Sequence, residues 1–95
     1  MWKSKYVAGA TGIEGGIIYA DEEYKKSCRI TLEKCEKCFV ITCGVYGAMV
    51  HTTFADLDNY QSQYDEMKRE LQKFMDSNTS EDEEVEFYNY FCNKY

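Results

Sequence analysis

The spacing of hydrophobic and polar positions changes near residue 55, from a period of two to a period close to 3.6. In the first half, short runs of β-branched and aromatic residues alternate with glycines and charged clusters, a pattern typical of strands joined by hairpins. In the second half, apolar residues recur at steps of three and four, which is typical of amphipathic helices. Strands followed by helices predict an α+β domain.

Four or five antiparallel strands fit the first half, between about residues 5 and 54. The clearest one alternates Cys28, Ile30 and Leu32 with polar residues, so that one face of the sheet is expected to lie in water. The first three strands are predicted at residues 5–10, 16–24 and 28–34.

The apolar run over residues 38–54 is too long for a single ordinary strand of about five to six residues. Gly44 and Gly47 divide it, and either of two structures would explain them. One is a hairpin with a tight turn around residues 45–46, and the other is a bend or bulge within one long strand. We favour the hairpin.

Two helices are predicted over about residues 56–76 and 81–94, both on one face of the sheet. Asp56 is the expected N-cap of the first helix. The second begins at a capping box formed by Ser80 and Glu83. The first helix is expected to bury Leu57, Tyr60, Tyr64, Met67, Leu71 and Phe74, and the second Val85, Tyr88, Phe91 or Cys92, and Tyr95.

Size and charge narrow the classes of function. The 95 residues are expected to form a single domain, 1–95. The net charge of −6 argues against nucleic-acid binding, which needs a concentrated basic surface. The acidic balance suits a basic protein partner instead. No sequence motif indicates a cofactor, and none is predicted.

The sequence also carries expectations about location. The N-terminal residues lack the sustained apolar run of a signal peptide, and no stretch has the length and hydrophobicity of a membrane-spanning helix. We therefore predict a cytoplasmic protein, without membrane association, in which the five cysteines are reduced.

Cys35 and Cys38 form a C-x-x-C motif, the spacing at which two thiolates can bind zinc or close a redox disulfide. The second ligand pair of a structural zinc site is missing. The motif also lies between two predicted strands, whereas a redox motif usually precedes a helix whose dipole lowers the thiol pKa. A plain turn is the favoured interpretation, and no metal site is predicted.

Cys43 and His51 are the candidate catalytic pair, because an imidazole can take the proton of a neighbouring thiol. They fall on adjacent predicted strands. A three-residue loop would place them directly opposite each other, whereas a two-residue loop would pair Cys43 with Ala48 and His51 with Val40. A hydrogen-bonded structural histidine is the simpler interpretation.

Two further patterns have simple structural explanations. The glycine-rich segment 9–16 precedes a strand and matches no phosphate-binding motif, which favours a hairpin connection. The acidic triplet Asp21, Glu22 and Glu23 is expected in a solvated turn or at a sheet edge.

The surplus of aromatic residues favours a function in binding. Nine Tyr, five Phe and one Trp suit a core lining or a contact surface, and Phe87 or Tyr90 should fall outside the buried stripe of the second helix. We expect a non-catalytic interaction module that forms a homodimer or masks a basic partner, with Phe87 and Tyr90 as interface candidates. The alternative is a ligand-binding domain or enzyme with a tyrosine-lined cleft between sheet and helices that uses Cys43 and His51.

Overall fold

The computed structural model describes residues 1–5, 10–12 and 14–95. Within these residues, five strands form one antiparallel sheet in chain order and two helices follow, which confirms the predicted α+β class. The elements are β1 (Trp2–Ser4), β2 (Ile17–Tyr24), β3 (Cys28–Lys34), β4 (Phe39–Val45), β5 (Met49–Ala55), α1 (Tyr60–Asp76) and α2 (Glu81–Lys94).

The structure places a strand, β1, ahead of the predicted first strand over residues 5–10. β1 covers Trp2–Ser4 and pairs with the end of β2, where Trp2 lies opposite Tyr24 with their ring centroids 5.1 Å apart. The indole of Trp2 also donates a hydrogen bond to Gln72 of α1, at 2.9 Å. Of the predicted strand over 5–10, residues 6–9 lie outside the described residues.

The long apolar run forms a hairpin, as favoured, but its turn differs from the prediction. β4 and β5 are joined by the three residues 46–48, and Val45 remains in β4 opposite Met49. Val45 is buried, and Gly47 has a φ of +77°, a left-handed conformation that suits glycine. The turn is therefore not centred on residues 45–46, and of the two loop lengths left open the three-residue loop is formed, which pairs Cys43 directly with His51.

α1 begins four residues later than predicted. Asn59 is the N-cap residue, and the carboxylate of Asp56 instead accepts hydrogen bonds from the backbone N–H groups of Asp58 and Asn59. Those bonds hold a turn that precedes the helix, so the prediction of Asp56 as N-cap is wrong. Leu57 lies in this turn and is exposed, whereas Tyr64, Met67 and Leu71 are buried as expected.

α2 confirms the predicted capping box: the Ser80 hydroxyl and the Glu83 carboxylate each accept from the other residue's backbone N–H. Its buried stripe is shifted toward α1. Val85 is exposed, contrary to prediction, and Phe87 stacks on Phe74 of α1 with ring centroids 4.1 Å apart. Contact between the two helices therefore decides which side of α2 is buried.

The two helices cover one face of the sheet, and the core lies between them and that face. Cross-strand pairing assigns alternate residues of each strand to this helix face. Its core residues include Tyr24, Cys28, Ile30, Leu32, Phe39, Ile41, Cys43, Val45 and Met49, packed against Tyr64, Met67, Leu71 and Phe91.

The opposite face carries the remaining strand side chains, and neither α1 nor α2 lies over it. We call it the open face. It is made by Ile18, Asp21 and Glu23 of β2, Arg29, Thr31 and Glu33 of β3, Val40, Thr42 and Gly44 of β4, and Val50, Thr52 and Phe54 of β5.

Candidate functional site

The centre of the open face holds an ion pair between a buried carboxylate, Asp21, and a half-exposed guanidinium, Arg29. Asp21 is only 4% exposed, and its carboxylate accepts hydrogen bonds from Arg29 Nε at 2.7 Å and from Arg29 Nη2 at 2.5 Å. Thr31, directly opposite Asp21 in the β2–β3 ladder, donates a third bond at 3.1 Å. Hydrogen bonding from Arg29 lowers the pKa of Asp21, so the carboxylate is charged at neutral pH.

One end of this ion pair is bordered by the β4–β5 turn. Tyr46 reaches across β3 and donates a hydrogen bond to Glu23 at 2.5 Å, and Glu23 also lies 3.6 Å from the ammonium of Lys5. This bond raises the pKa of the Tyr46 hydroxyl. Tyr46 is half exposed, and it lies beside the ion pair on the open face.

At the other end, residues 12 and 14–16, which belong to the glycine-rich segment, lie against Glu33. This carboxylate is 3% exposed and accepts hydrogen bonds from the backbone N–H of Gly16 at 2.6 Å and of Glu14 at 3.3 Å. A Cβ atom on Gly12 would lie 2.0 Å from Glu33 Oε1, so a side chain at this position would require the Glu33 carboxylate to move. These amides therefore bind an internal carboxylate.

Between Tyr46 and the glycine-rich segment lies a cavity of about 430 Å³. Its volume falls within the range of small-molecule sites, about 300–1,000 Å³. Much of its lining is apolar or uncharged, and its charged lining residues are Asp21, Arg29 and Glu33. Lining residues include Ile18, Thr31, Thr42, Gly44, Tyr46 and Val50.

The outer part of the open face is an apolar strip on β5. Val50 and Phe54 are 81% and 70% exposed, and they lie on the same face of the strand with Thr52 between them. β5 is an edge strand of the sheet that the described residues form. Two large apolar side chains beside an unpaired backbone edge are typical of a contact surface.

Cys43 and His51 meet on the other face, beneath the helices. They are a cross-strand pair, and the ring of Phe91 lies edge-on to His51 at a centroid distance of 6.1 Å. Burial raises the pKa of the Cys43 thiol to about 12. At neutral pH this thiol is protonated and screened from solvent, so the pair is not arranged as an activated nucleophile. A catalytic role for Cys43 and His51 stays a prediction.

Cys35 and Cys38 lie in the turn between β3 and β4, closed by a hydrogen bond of 2.9 Å from Cys35 N to Cys38 O. The Cys35 thiol donates to Glu33 at 3.7 Å. Burial and then the Glu33 carboxylate raise the pKa of this thiol, the opposite of what thiolate chemistry needs. Within the described ranges no three His, Cys, Asp or Glu residues are placed to hold a metal ion.

The two interface candidates on α2 have different surroundings. Phe87 is partly buried between Phe74 and Phe91. Tyr90 lies outside the buried stripe, 48% exposed, and donates a hydrogen bond of 2.6 Å to Glu70 of α1. Neither residue lies on the open face, and their role at an interface stays a prediction.

The tyrosines between sheet and helices are internal partners of carboxylates. Tyr24 donates to Asp76 at 2.6 Å, and Tyr64 donates to Glu22 at 2.8 Å. Both tyrosines are buried in the core, whereas the cavity described above lies on the opposite face. A ligand site in this fold is therefore better sought on the open face than in the predicted cleft.

Sequence reasoning missed the buried carboxylates of the open face. The acidic triplet is neither a turn nor a sheet edge, because β2 lies between β1 and β3. Its members alternate sides, so Asp21 meets Arg29 while Glu22 meets Lys68 of α1 at 2.5 Å. One signal was available: in a hairpin whose turn is centred on residues 25–27, Asp21 falls opposite Thr31 and beside Arg29.

Comparisons of the chain with protein-family models, with curated proteins and with solved structures found no match. Across the residues that the structure describes, neither helix combines the length and apolar character needed to cross a membrane.

Proposed function

We propose that this chain is a non-catalytic protein-interaction module that binds its partner through β5 and the adjoining open face. The observation that carries the proposal is the pair Val50 and Phe54, 81% and 70% exposed on one face of an edge strand. Burying such side chains contributes about 1.5–3 kcal/mol each. Contact with a partner is the simplest way to gain that energy.

The two edges of the sheet differ in a way that supports this proposal. β1 has three residues, including Lys3, and short charged edges discourage strand addition. β5 has seven residues without Asp, Glu, Lys, Arg or Pro, and its pairing with β4 has no bulge. A long, regular and uncharged edge favours the addition of a further strand by main-chain hydrogen bonds.

The test is a quantitative pull-down with the full chain as bait, in which wild type is compared with the double variant Val50→Ser, Phe54→Ser. The matched control is Ile17→Ser, which truncates an exposed apolar residue of β2, 54% exposed. We expect wild type and control to retain the same proteins, further copies of this chain included, and the double variant to retain them about tenfold less.

Unchanged capture by the double variant, with its circular dichroism identical to that of wild type, would remove the basis of the proposal. Loss of capture by the Ile17→Ser control as well would have the same consequence, because the effect would then not belong to β5.

A second candidate function, binding of a small apolar ligand, is favoured by the cavity of about 430 Å³. The probe is the fluorescent dye anilinonaphthalene sulfonate, and Thr42→Phe fills the floor of the cavity. We expect the dye to bind wild type and to bind this variant about tenfold more weakly, a difference of about 1.4 kcal/mol. Equal binding by both proteins would place the dye elsewhere and end this alternative.

A further inference from the structure

We propose that the partner of β5 is the β5 strand of a second copy of this chain, paired antiparallel about a twofold axis at Thr52. This inference rests on the proposed function, since it takes β5 as the binding edge and names what it binds. The pairing would join two five-stranded sheets into one continuous sheet with both open faces on the same side.

The open-face residues of β5 are complementary to themselves in this register. With Thr52 opposite Thr52 of the second copy, Val50 lies opposite Phe54 of the second copy, and Phe54 lies opposite Val50. Aromatic with β-branched and Thr with Thr are among the cross-strand pairs that stabilise antiparallel sheets, by about 0.2–1 kcal/mol each. The two exposed apolar side chains of the strand would therefore cover each other twice.

The helix-face residues of β5 are equally compatible. His51 lies opposite Thr53 of the second copy, and Met49 lies opposite Ala55. None of these pairs brings two like charges together. Met49 and Ala55 are already buried beneath the helices. At each end of the paired strands, the small side chain of Ala55 would face the long side chain of Met49.

Neighbouring registers are less favourable. Thr52 is the middle residue of the seven-residue strand, so an axis at this position pairs the whole of β5. Moving the axis to His51 places two histidines opposite each other, and moving it to Thr53 places Val50 opposite Asp56. Only the register centred on Thr52 keeps every residue of β5 in a pair without such a conflict.

The net charge of −6 on each copy places no two carboxylates opposite each other within the paired strands, because β5 itself contains no acidic residue. Asp56, which follows β5, falls opposite Ala48 of the second copy. The two Asp56 residues are then separated by about 27 Å along the strands, beyond the screening length of about 8 Å at physiological salt.

The acidic first turn of α2 is also remote from its counterpart. α2 runs in the same direction as β5, since Phe91 contacts His51 and the carbonyl of Tyr95 accepts a bond from Thr53. Residues 81–84 therefore lie toward the β4–β5 turn. Because the strands are antiparallel, the two acidic turns fall at opposite ends of the interface.

The experiment is sedimentation velocity of the full chain with two charge variants, Val50→Lys and Phe54→Glu. We expect wild type to form a reversible dimer and each variant alone to dimerise about tenfold more weakly, because a charge then faces an apolar side chain. An equimolar mixture of the two variants should restore the dimer. In the mixed dimer the introduced lysine faces the introduced carboxylate, and the other Val50–Phe54 pair is retained.

Two controls sharpen the result. Ile17→Glu adds a charge to an exposed residue opposite Lys34, far from β5, and should dimerise like wild type. Raising the salt concentration should weaken the mixed dimer and leave the wild-type dimer largely unchanged.

A monomeric wild type at all accessible concentrations would overturn the inference, as would a mixture that dimerises no better than its components. A dimer unaffected by either charge variant would also overturn it, because the contact would then lie elsewhere. If wild type is monomeric while the pull-down still depends on Val50 and Phe54, this inference fails and the proposed function stands. If neither assay depends on these residues, both fail.

Discussion

At the scale of single residues, the open face is organised around two buried carboxylates that have different partners. Asp21 is held by Arg29 and Thr31, and Glu33 is held mainly by backbone amides of the glycine-rich segment. Burial of a charge is costly unless charged or hydrogen-bonding partners replace water. The two carboxylates therefore tie β2, β3 and residues 14–16 into one surface.

Asp21→Asn should destabilise the fold by about 1–2 kcal/mol at pH 7, because Arg29 loses its ionic partner while the amide can still accept a bond from Thr31. The measurement is the free energy of unfolding in urea. Asp58→Asn, at an exposed position, is the matched control and should change stability by less than about 0.5 kcal/mol.

The effect of Asp21→Asn should depend on pH. Since the pKa of Asp21 is lowered in the folded state, the carboxylate contributes stability that is present above its unfolded pKa of about 3.9. That contribution is lost as pH falls through the lower, folded pKa. The difference between variant and wild type should shrink below about pH 4. A difference that stays constant down to pH 2 would contradict this assignment.

Cys43 should be among the least reactive thiols of the folded chain. It is 3% exposed, and burial raises its thiol pKa to about 12, so alkylation at pH 8 should be at least about tenfold slower than at Cys35 or Cys38. Peptide mass spectrometry after iodoacetamide treatment measures each rate. All five cysteines should react alike in guanidinium. Rapid alkylation of Cys43 in the native state would favour the nucleophile hypothesis instead.

At the scale of elements, periodicity predicted most of the fold because it records which residues are buried. β3 and α2 have the predicted bounds, since clean alternation and a capping box mark their ends. The start of α1 and the β4–β5 turn were misplaced by a few residues. There, the side-chain hydrogen bonds of Asp56 and the burial of Val45 decided the boundary, and neither follows from periodicity.

The candidate site was less predictable from sequence than the fold. Exposure of Val50 and Phe54 follows from which face of the sheet the helices cover and from the position of β5 at an edge. Both depend on strand order, which local patterns do not contain. Even the register of Cys43 against His51 was left open by the sequence, because a change of one residue in turn length changes every pair.

The contact between the glycine-rich segment and β3 makes its own prediction. Gly12→Ala should cost about 1–3 kcal/mol, because the added methyl group meets the Glu33 carboxylate. In a Glu33→Ala background the same substitution should cost about 1 kcal/mol less, which a double-mutant cycle measures. Gly47→Ala is the control, since its cost arises from a φ of +77° with no atom within 4 Å of the new Cβ.

Additive effects of Gly12→Ala and Glu33→Ala would show that the segment does not pack on this carboxylate. Coupling of similar size between Gly47→Ala and Glu33→Ala would also contradict this contact, because Gly47 and Glu33 do not touch and the coupling would then be nonspecific.

At the scale of the whole molecule, the fold is a sheet with one face covered by helices and the other carrying an ion pair, a cavity and an apolar edge. The helices account for the burial of the core residues, and the proposed association through β5 would bury the exposed Val50 and Phe54. Because β1 is short and carries Lys3, whereas β5 is long and uncharged, association is expected at the β5 edge of the sheet rather than at the β1 edge.

Amide hydrogen exchange of the full chain, followed residue by residue in dilute solution and in its associated state, tests this account most directly. Pairing through β5 predicts that association slows exchange in β5, Met49–Ala55, and leaves exchange in β1, Trp2–Ser4, unchanged. Slowed exchange confined to β1 or the helices, with β5 exchanging at the same rate in both states, would contradict it.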